Sequence, residues 1–167
     1  MRGWQPRASA AGMKEAIYTI LPLPTEVAAQ ARAAARVGAA DHAFVTTDVP
    51  ESYPCRHCLR WAQLGEELVL FPFASIATGR PYSDIGPIFV HAESCERYRA
   101  LHEFPRDFRE GRSIRGYDAA ETMIAGEVVN GSAPEALVER LLADPQIAFL
   151  QVRSASRGCY TFGIERV

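Results

Sequence analysis

Cys55-Arg56-His57-Cys58 and, well downstream, His91-Ala92-Glu93-Ser94-Cys95 set a C-x2-C pair against an H-x3-C pair in a chain of 167 residues. Thiolate and imidazole are the ligands zinc prefers, and four of them close a tetrahedron with no open position. If Cys55, Cys58, His91 and Cys95 share one ion, any fold of this chain must carry both segments to one point. No other pattern here constrains the chain as strongly. A closed site builds structure, whereas a catalytic zinc keeps one position free.

The setting suits reduced thiols. Four cysteines are too few for a disulfide scaffold at this length. No apolar run approaches a membrane span, and no apolar stretch follows the charged start as a signal peptide would require. A cytoplasmic protein is the expectation. The net charge of -2, with the arginines scattered among acids, gives no basic stripe, so a nucleic-acid partner is not expected. Lys14 is the only lysine among 18 basic residues, a bias that reads as genomic rather than physical. Residues 1–12 lack periodicity and read as a disordered leader, with one domain over 13–167.

Along that domain, Ile17 to Leu21 is β-type and is stopped by Pro22 and Pro24. Thr25 can cap an alanine-rich helix to Arg36, with Gly38 beyond it. Ala43–Thr47, Glu67–Phe71 and Ile88–His91 read as strands, and Ser94 offers an N-cap for a helix over Cys95–Leu101. Residues 103–112 read as a loop with one helical turn. Ile114–Tyr117 and Met123–Val129 follow as strands. Asn130-Gly131 turns the chain, and Ser132 with Glu135 suggests a capping box for a helix to Ala143. Ile147–Val152 and Tyr160–Ile164 form a hairpin across Ser154–Gly158, with Tyr160, Phe162 and Ile164 expected on the core side. Without βαβ alternation, the pattern predicts an α+β fold, a mainly antiparallel sheet of about seven strands with about three helices.

On these elements the ligands fall on a knuckle, beyond a hairpin, and at a helix entry, the order of treble-clef zinc modules. His57 could replace one ligand or support another. The plain alternative is two ordinary histidines and small buried cysteines, since free cysteine is among the most buried residue types. A redox C-x-x-C is a third reading, but it wants a helix after the motif, and Gly65 leaves only a stub. Cys159 has no base near it in sequence and reads as a structural strand cysteine. Arg115 and Tyr117 share a strand face, and if that of Glu127 coincides, the Arg–Glu pair either lines a pocket that grips a carboxylate or is a solvated cross-strand pair. Glu93, Arg97 and Arg153 are polar and unspecific. No G-x-S-x-G, phosphate loop or H-E-x-x-H occurs.

Pro54-Cys55-Arg56-His57-Cys58-Leu59, Gly86-Pro87-Ile88-Phe89-Val90-His91-Ala92-Glu93 with Cys95, Arg115-Gly116-Tyr117-Asp118-Ala119 and Arg157-Gly158-Cys159-Tyr160-Thr161-Phe162 together resemble domain-of-unknown-function family 1203. The resemblance runs from about Tyr18 to the C-terminus. It implies a single-domain cytoplasmic bacterial protein and supplies no reaction, cofactor or catalytic residue. The expectation is a binding or regulatory module with a structural Cys3His zinc site, its partner a small molecule or a protein. The rivals are a small-molecule or thiol-dependent enzyme with a pocket around His91, and a redox protein.

Overall fold

The structure, a computed structural model, describes residues 16–129 and 133–167. The expected leader over 1–12 and the Asn130-Gly131-Ser132 turn lie outside them. In chain order the elements are β1 (Tyr18–Leu21), α1 (Thr25–Arg36), β2 (Ala43–Thr46), β3 (Pro54–Cys55), β4 (Arg60–Trp61) and β5 (Glu67–Ile76). Then come β6 (Asp84–His91), a 3-10 turn at Arg106–Phe108, β7 (Arg112–Tyr117), β8 (Met123–Val128), α2 (Pro134–Leu142), β9 (Phe149–Ser154) and β10 (Tyr160–Arg166). The mixed α/β architecture and antiparallel bias agree with the sequence. The single seven-stranded sheet with three helices does not. Among the described residues there are two five-stranded sheets, ordered β1-β10-β9-β7-β8 and β2-β5-β6-β3-β4. The α-helices among them are α1 and α2.

Two features of the strands escape the sequence reading. The bridges β3 and β4 are two residues each, too short to carry an alternating pattern. And β5 runs straight through Pro72, where a sequence reader stops it. Pro72 lies opposite Pro87 of β6, a pairing open only where N–H groups point away from the partner strand. There β2 has already ended opposite Leu70, and β3 pairs only at Phe89, so neither proline withholds a bond from a third strand.

The first sheet and α2 enclose a core containing Ile20, Phe108, Ile114, Leu150, Phe162 and Ile164, each 0 % exposed. The second sheet and α1 enclose a smaller core with Leu23, Ala28, Cys55, Val69, Ile88 and Val90. The hairpin β9–β10 pairs antiparallel as expected, with Phe162 and Ile164 in the first core. Tyr160 is the exception. A bulge at Thr161 inserts one residue between Tyr160 and Phe162, and a one-residue slip reverses the face. Tyr160 therefore packs with the second core, its ring 5.4 Å from that of Phe73.

Polar contacts also join the sheets. Arg153 is buried, and its guanidinium donates to Gln151 Oε1, Ser75 Oγ, Asp84 Oδ2 and the Gly158 carbonyl. Gln151 in turn donates to the Ser75 carbonyl at 2.8 Å. A residue that looks unspecific in sequence thus links β9 to β5 and β6, with its charge paired, as a buried charge must be.

Candidate metal centre

The turn after β3 carries the first two thiols. Cys55 bridges Phe89 of β6 in parallel, and the Arg56 N–H donates to the Phe89 carbonyl at 3.0 Å. The Leu59 N–H closes the turn on the Cys55 carbonyl, with Leu59 itself at φ 52. Left-handed backbone is costly away from glycine, so burial of Leu59 in the first core helps hold it there. The turn therefore has Cys55 in one core and Leu59 in the other. His91 is the last residue of β6, two beyond the Cys55 partner.

Cys95 arrives differently from the expectation. No helix covers 95–101; that stretch is irregular. Its polar groups are committed elsewhere: the Tyr98 N–H donates to the His57 carbonyl, and the Leu101 carbonyl accepts from the Ile20 N–H. Arg97 donates to the Pro22 and Leu23 carbonyls. The treble-clef order, which needs a helix at this point, is not the architecture here.

The four expected ligands nevertheless converge. The nearest ligand atoms of Cys55, Cys58, His91 and Cys95 all lie within 4.8 Å of one another, and no disulfide links them. Cys55 Sγ is 3.9 Å from Cys95 Sγ, and Cys58 Sγ is 3.5 Å from His91 Nδ1. A tetrahedral zinc with ordinary Zn–S and Zn–N bonds has S···S edges of about 3.8 Å and S···N edges of about 3.6 Å. The two contacts match those edges. Cys55 is 0 % and His91 5 % exposed, so the group is closed to solvent on that side.

Surrounding residues orient the ligands. His91 Nε2 lies 3.2 Å from Glu66 Oε2, which leaves Nδ1 facing the thiols. A carboxylate behind a ligating histidine fixes its tautomer and raises its basicity. Glu66 is itself gripped by Arg60 through two bonds of 2.8 Å, which hold its carboxyl down at about 2 and keep it an acceptor. His57 lies outside the convergent group. Its Nδ1 is 3.2 Å from Cys95 Sγ, its Nε2 is 3.0 Å from Thr25 Oγ1, and burial holds its pKa down. The Thr25 hydroxyl, expected to cap α1, is spent there, and α1 has Pro24 at its cap with no side-chain bond. Arg32 of α1 donates to the His91 carbonyl at 2.8 Å and reaches Cys95 Sγ at 3.7 Å.

The close packing shifts the protonation of Cys55, Cys58 and His91. Burial opposes the Cys55 thiolate, but hydrogen bonds from Cys58, Cys95 and His91 outweigh it and hold that thiol well below its usual range. Cys58 is pushed the opposite way by its bonds to Cys55 and Cys95 and by burial. Burial lowers His91, yet bonds to Cys55 and Cys95 raise it to about 9. The chemistry this set can perform is cation binding by soft and borderline ligands.

The other expected residues do not join the centre. Glu93 is exposed and Arg97 braces the 95–101 segment. Arg115 lies opposite Gly126, and Glu127 pairs with Arg140 of α2, so the proposed Arg115–Glu127 grip is absent. Tyr117 is buried, stacked on Phe149. His91 lies inside the cluster, with both ring nitrogens engaged. The largest cavity described, about 600 Å³, is lined by Arg56, Trp61, Phe89, Arg112, Arg157 and Cys159 among others, and by none of the four ligands. Sequence reading missed Arg32 and Glu66 behind the ligands, and Arg56 and Arg112 in that cavity. Only Arg56, inside the C-x2-C, carried a signal.

Comparison with known proteins adds kinship without chemistry. No curated protein and no solved structure matches the chain. Residues 52–166 match the family described as Protein of unknown function (DUF1203), a span that includes all four residues of the Cys3His group, and the chain belongs to that family.

Proposed function

We propose that Cys55, Cys58, His91 and Cys95 hold one zinc ion in a closed structural site, and that the protein is a zinc-braced binding module. The observation that carries this is the convergence of three Sγ atoms and a ring nitrogen of His91 within 4.8 Å of one another, with Glu66 behind the histidine. Three thiolates and a divalent ion leave one negative charge in excess, and the Arg32 guanidinium 3.7 Å from Cys95 Sγ offsets it. A saturated ion has no position for substrate, so the zinc would tie the β3 turn, the end of β6 and the 92–95 segment together. Reduced thiols fit a cytoplasmic setting. Among the described residues no helix is long and apolar enough to cross a membrane, and the partner proposed is a small molecule or a protein.

The test is metal content of untagged protein. One equivalent of zinc should co-purify. Cys55→Ser and Cys95→Ser should each lose it, while Cys159→Ser and His57→Ala should retain it. A stable, metal-free wild-type protein would end this reading and return the four side chains to ordinary core packing.

A further inference from the structure

The cavity of about 600 Å³ has the size of a small-molecule site and draws its walls from both sheets. Its polar wall is unusual in what it lacks. Arg112 is 5 % exposed, its guanidinium over the rings of Trp61 at 5.2 Å and Phe108 at 4.8 Å. Its Nε is buried with no hydrogen-bond partner. Arg56 is 3 % exposed and commits Nε to the Tyr160 carbonyl and Nη1 to the Pro54 carbonyl. Among the described residues neither arginine forms a salt bridge with an acid. Arg153, by contrast, is as deeply buried and fully matched to Asp84, Ser75 and Gln151.

Holding an arginine in a low-dielectric site without an anion is expensive, and cation–π contact recovers only part of that cost. The guanidinium fork is built for bidentate contact with carboxylate or phosphate oxygens. The rest of the lining includes the apolar surfaces of Trp61, Leu70, Pro87 and Phe89. Glu51 and Glu110 also line the cavity, but both are exposed, so they disfavour a polyanion more than a ligand with one anionic group.

We infer that this cavity binds a small organic anion, its carboxylate or phosphate group on Arg112 and Arg56 and its apolar body against Trp61, Leu70 and Phe89. This rests on the binding-module reading and does not require the ion. The zinc cluster would contribute only by fixing the backbone of Arg56, which lies between Cys55 and His57.

The full chain is titrated with phenyl phosphate and with phenylacetate, and with benzyl alcohol as the uncharged control. Two readouts come from the cavity wall: the emission of Trp61, read in a Trp4→Phe background, and the alkylation rate of Cys159 measured on its peptide. At least one anion should change the emission and slow Cys159 alkylation, binding about tenfold or more tighter than benzyl alcohol. Whichever anion binds identifies the head group. Arg112→Gln should weaken the anion about tenfold and leave benzyl alcohol unaffected. Equal affinity for benzyl alcohol, no effect of either anion, or a folded Arg112→Gln with unchanged anion affinity would each overturn the inference. Should that variant fail to fold, the wild-type preference for anion over alcohol decides alone. Zinc measured on the same preparation keeps the two readings apart: anion binding by metal-free protein overturns only the zinc site, and zinc without anion binding overturns only the cavity.

Discussion

The two sheets achieve cohesion by different means. The β1-β10-β9-β7-β8 sheet closes over Phe, Ile, Leu, Val and Tyr side chains, without a buried alanine in its core cluster. In the second core, four of ten buried residues are alanine (Ala28, Ala31, Ala35, Ala92) and a fifth is Cys55. Burying a Phe or Leu side chain is worth about 1.5–3 kcal/mol, whereas a methyl group gives about 0.8 kcal/mol. The second core thus gains less from apolar burial per residue. What the small side chains allow is close approach: α1 comes near enough for Arg32 to reach Cys95 and the His91 carbonyl. The difference teaches that the second region trades bulk for a cross-link, and the proposed ion is that cross-link.

The sharpest way to break this comparison is to remove the ion. Ligand energy is folding energy in a structural site, with apparent values of about 10–16 kcal/mol in small zinc peptides. A strong chelator should cost the second region several kcal/mol. In hydrogen exchange, amides of the Cys55–Leu59 turn and the β5–β6 hairpin should lose protection first, with β9 and β10 protected until global unfolding. Uniform loss would show that the halves do not differ. Phe162→Ala should act in reverse. Its ring contacts Phe104 at 5.3 Å and is fully buried, so truncation should cost about 3–5 kcal/mol in a denaturant titration with zinc stoichiometry unchanged. Loss of zinc in this variant would mean the regions fail together.

A finer probe touches the cross-link without cutting it. Glu66→Gln keeps a shape that can accept from His91 but removes the charge held by Arg60. Metal affinity should fall about 10- to 100-fold in a competition with a chelating dye. An unchanged affinity would show that Glu66 belongs to the Arg60 pair alone.

How much of this the sequence disclosed follows the range over which each feature acts. The helix Thr25–Arg36 is read to its last residue and to within one of its first, Pro24 standing where Thr25 was expected as the cap, because alanine run and glycine stop are local. The final hairpin and the Cys3His group are equally visible, since spacing within a few residues defines them. The missing helix at Cys95 fails for a tertiary reason: Ser94 is a good cap, but the backbone that would follow is claimed by His57 and Ile20 from elsewhere in the chain. The reversal of Tyr160 turns on one bulged residue that alternation cannot reveal. Glu66, Arg32 and Arg112 carry no local mark because their roles exist only once distant strands assemble. Division of the strands between two sheets is invisible for the same reason.

The smallest effect separates the halves by pH. Arg109 grips Glu135 of α2 through bonds of 2.6 and 2.7 Å, which hold that carboxyl below its usual range despite partial burial. Both side chains are a third or more exposed, so the pair is worth under about 1 kcal/mol, and Glu135→Gln should cost no more. A depressed carboxylate pKa gives stability that is present above the unfolded value and lost as pH falls through the folded one. The contribution of this pair to the first region is therefore lost only in the acid range below ordinary carboxylate titration. Zinc thiolates lose their metal to protons earlier on the same descent, because each must be deprotonated to bind. Acid titration should release zinc and loosen the β5–β6 hairpin before Phe104 and Phe162 lose their packing, and Glu135→Gln should move only the second event. If both events coincide, or if Glu135→Gln shifts zinc release, the two regions are one cooperative unit and the contrast between them is one of composition alone.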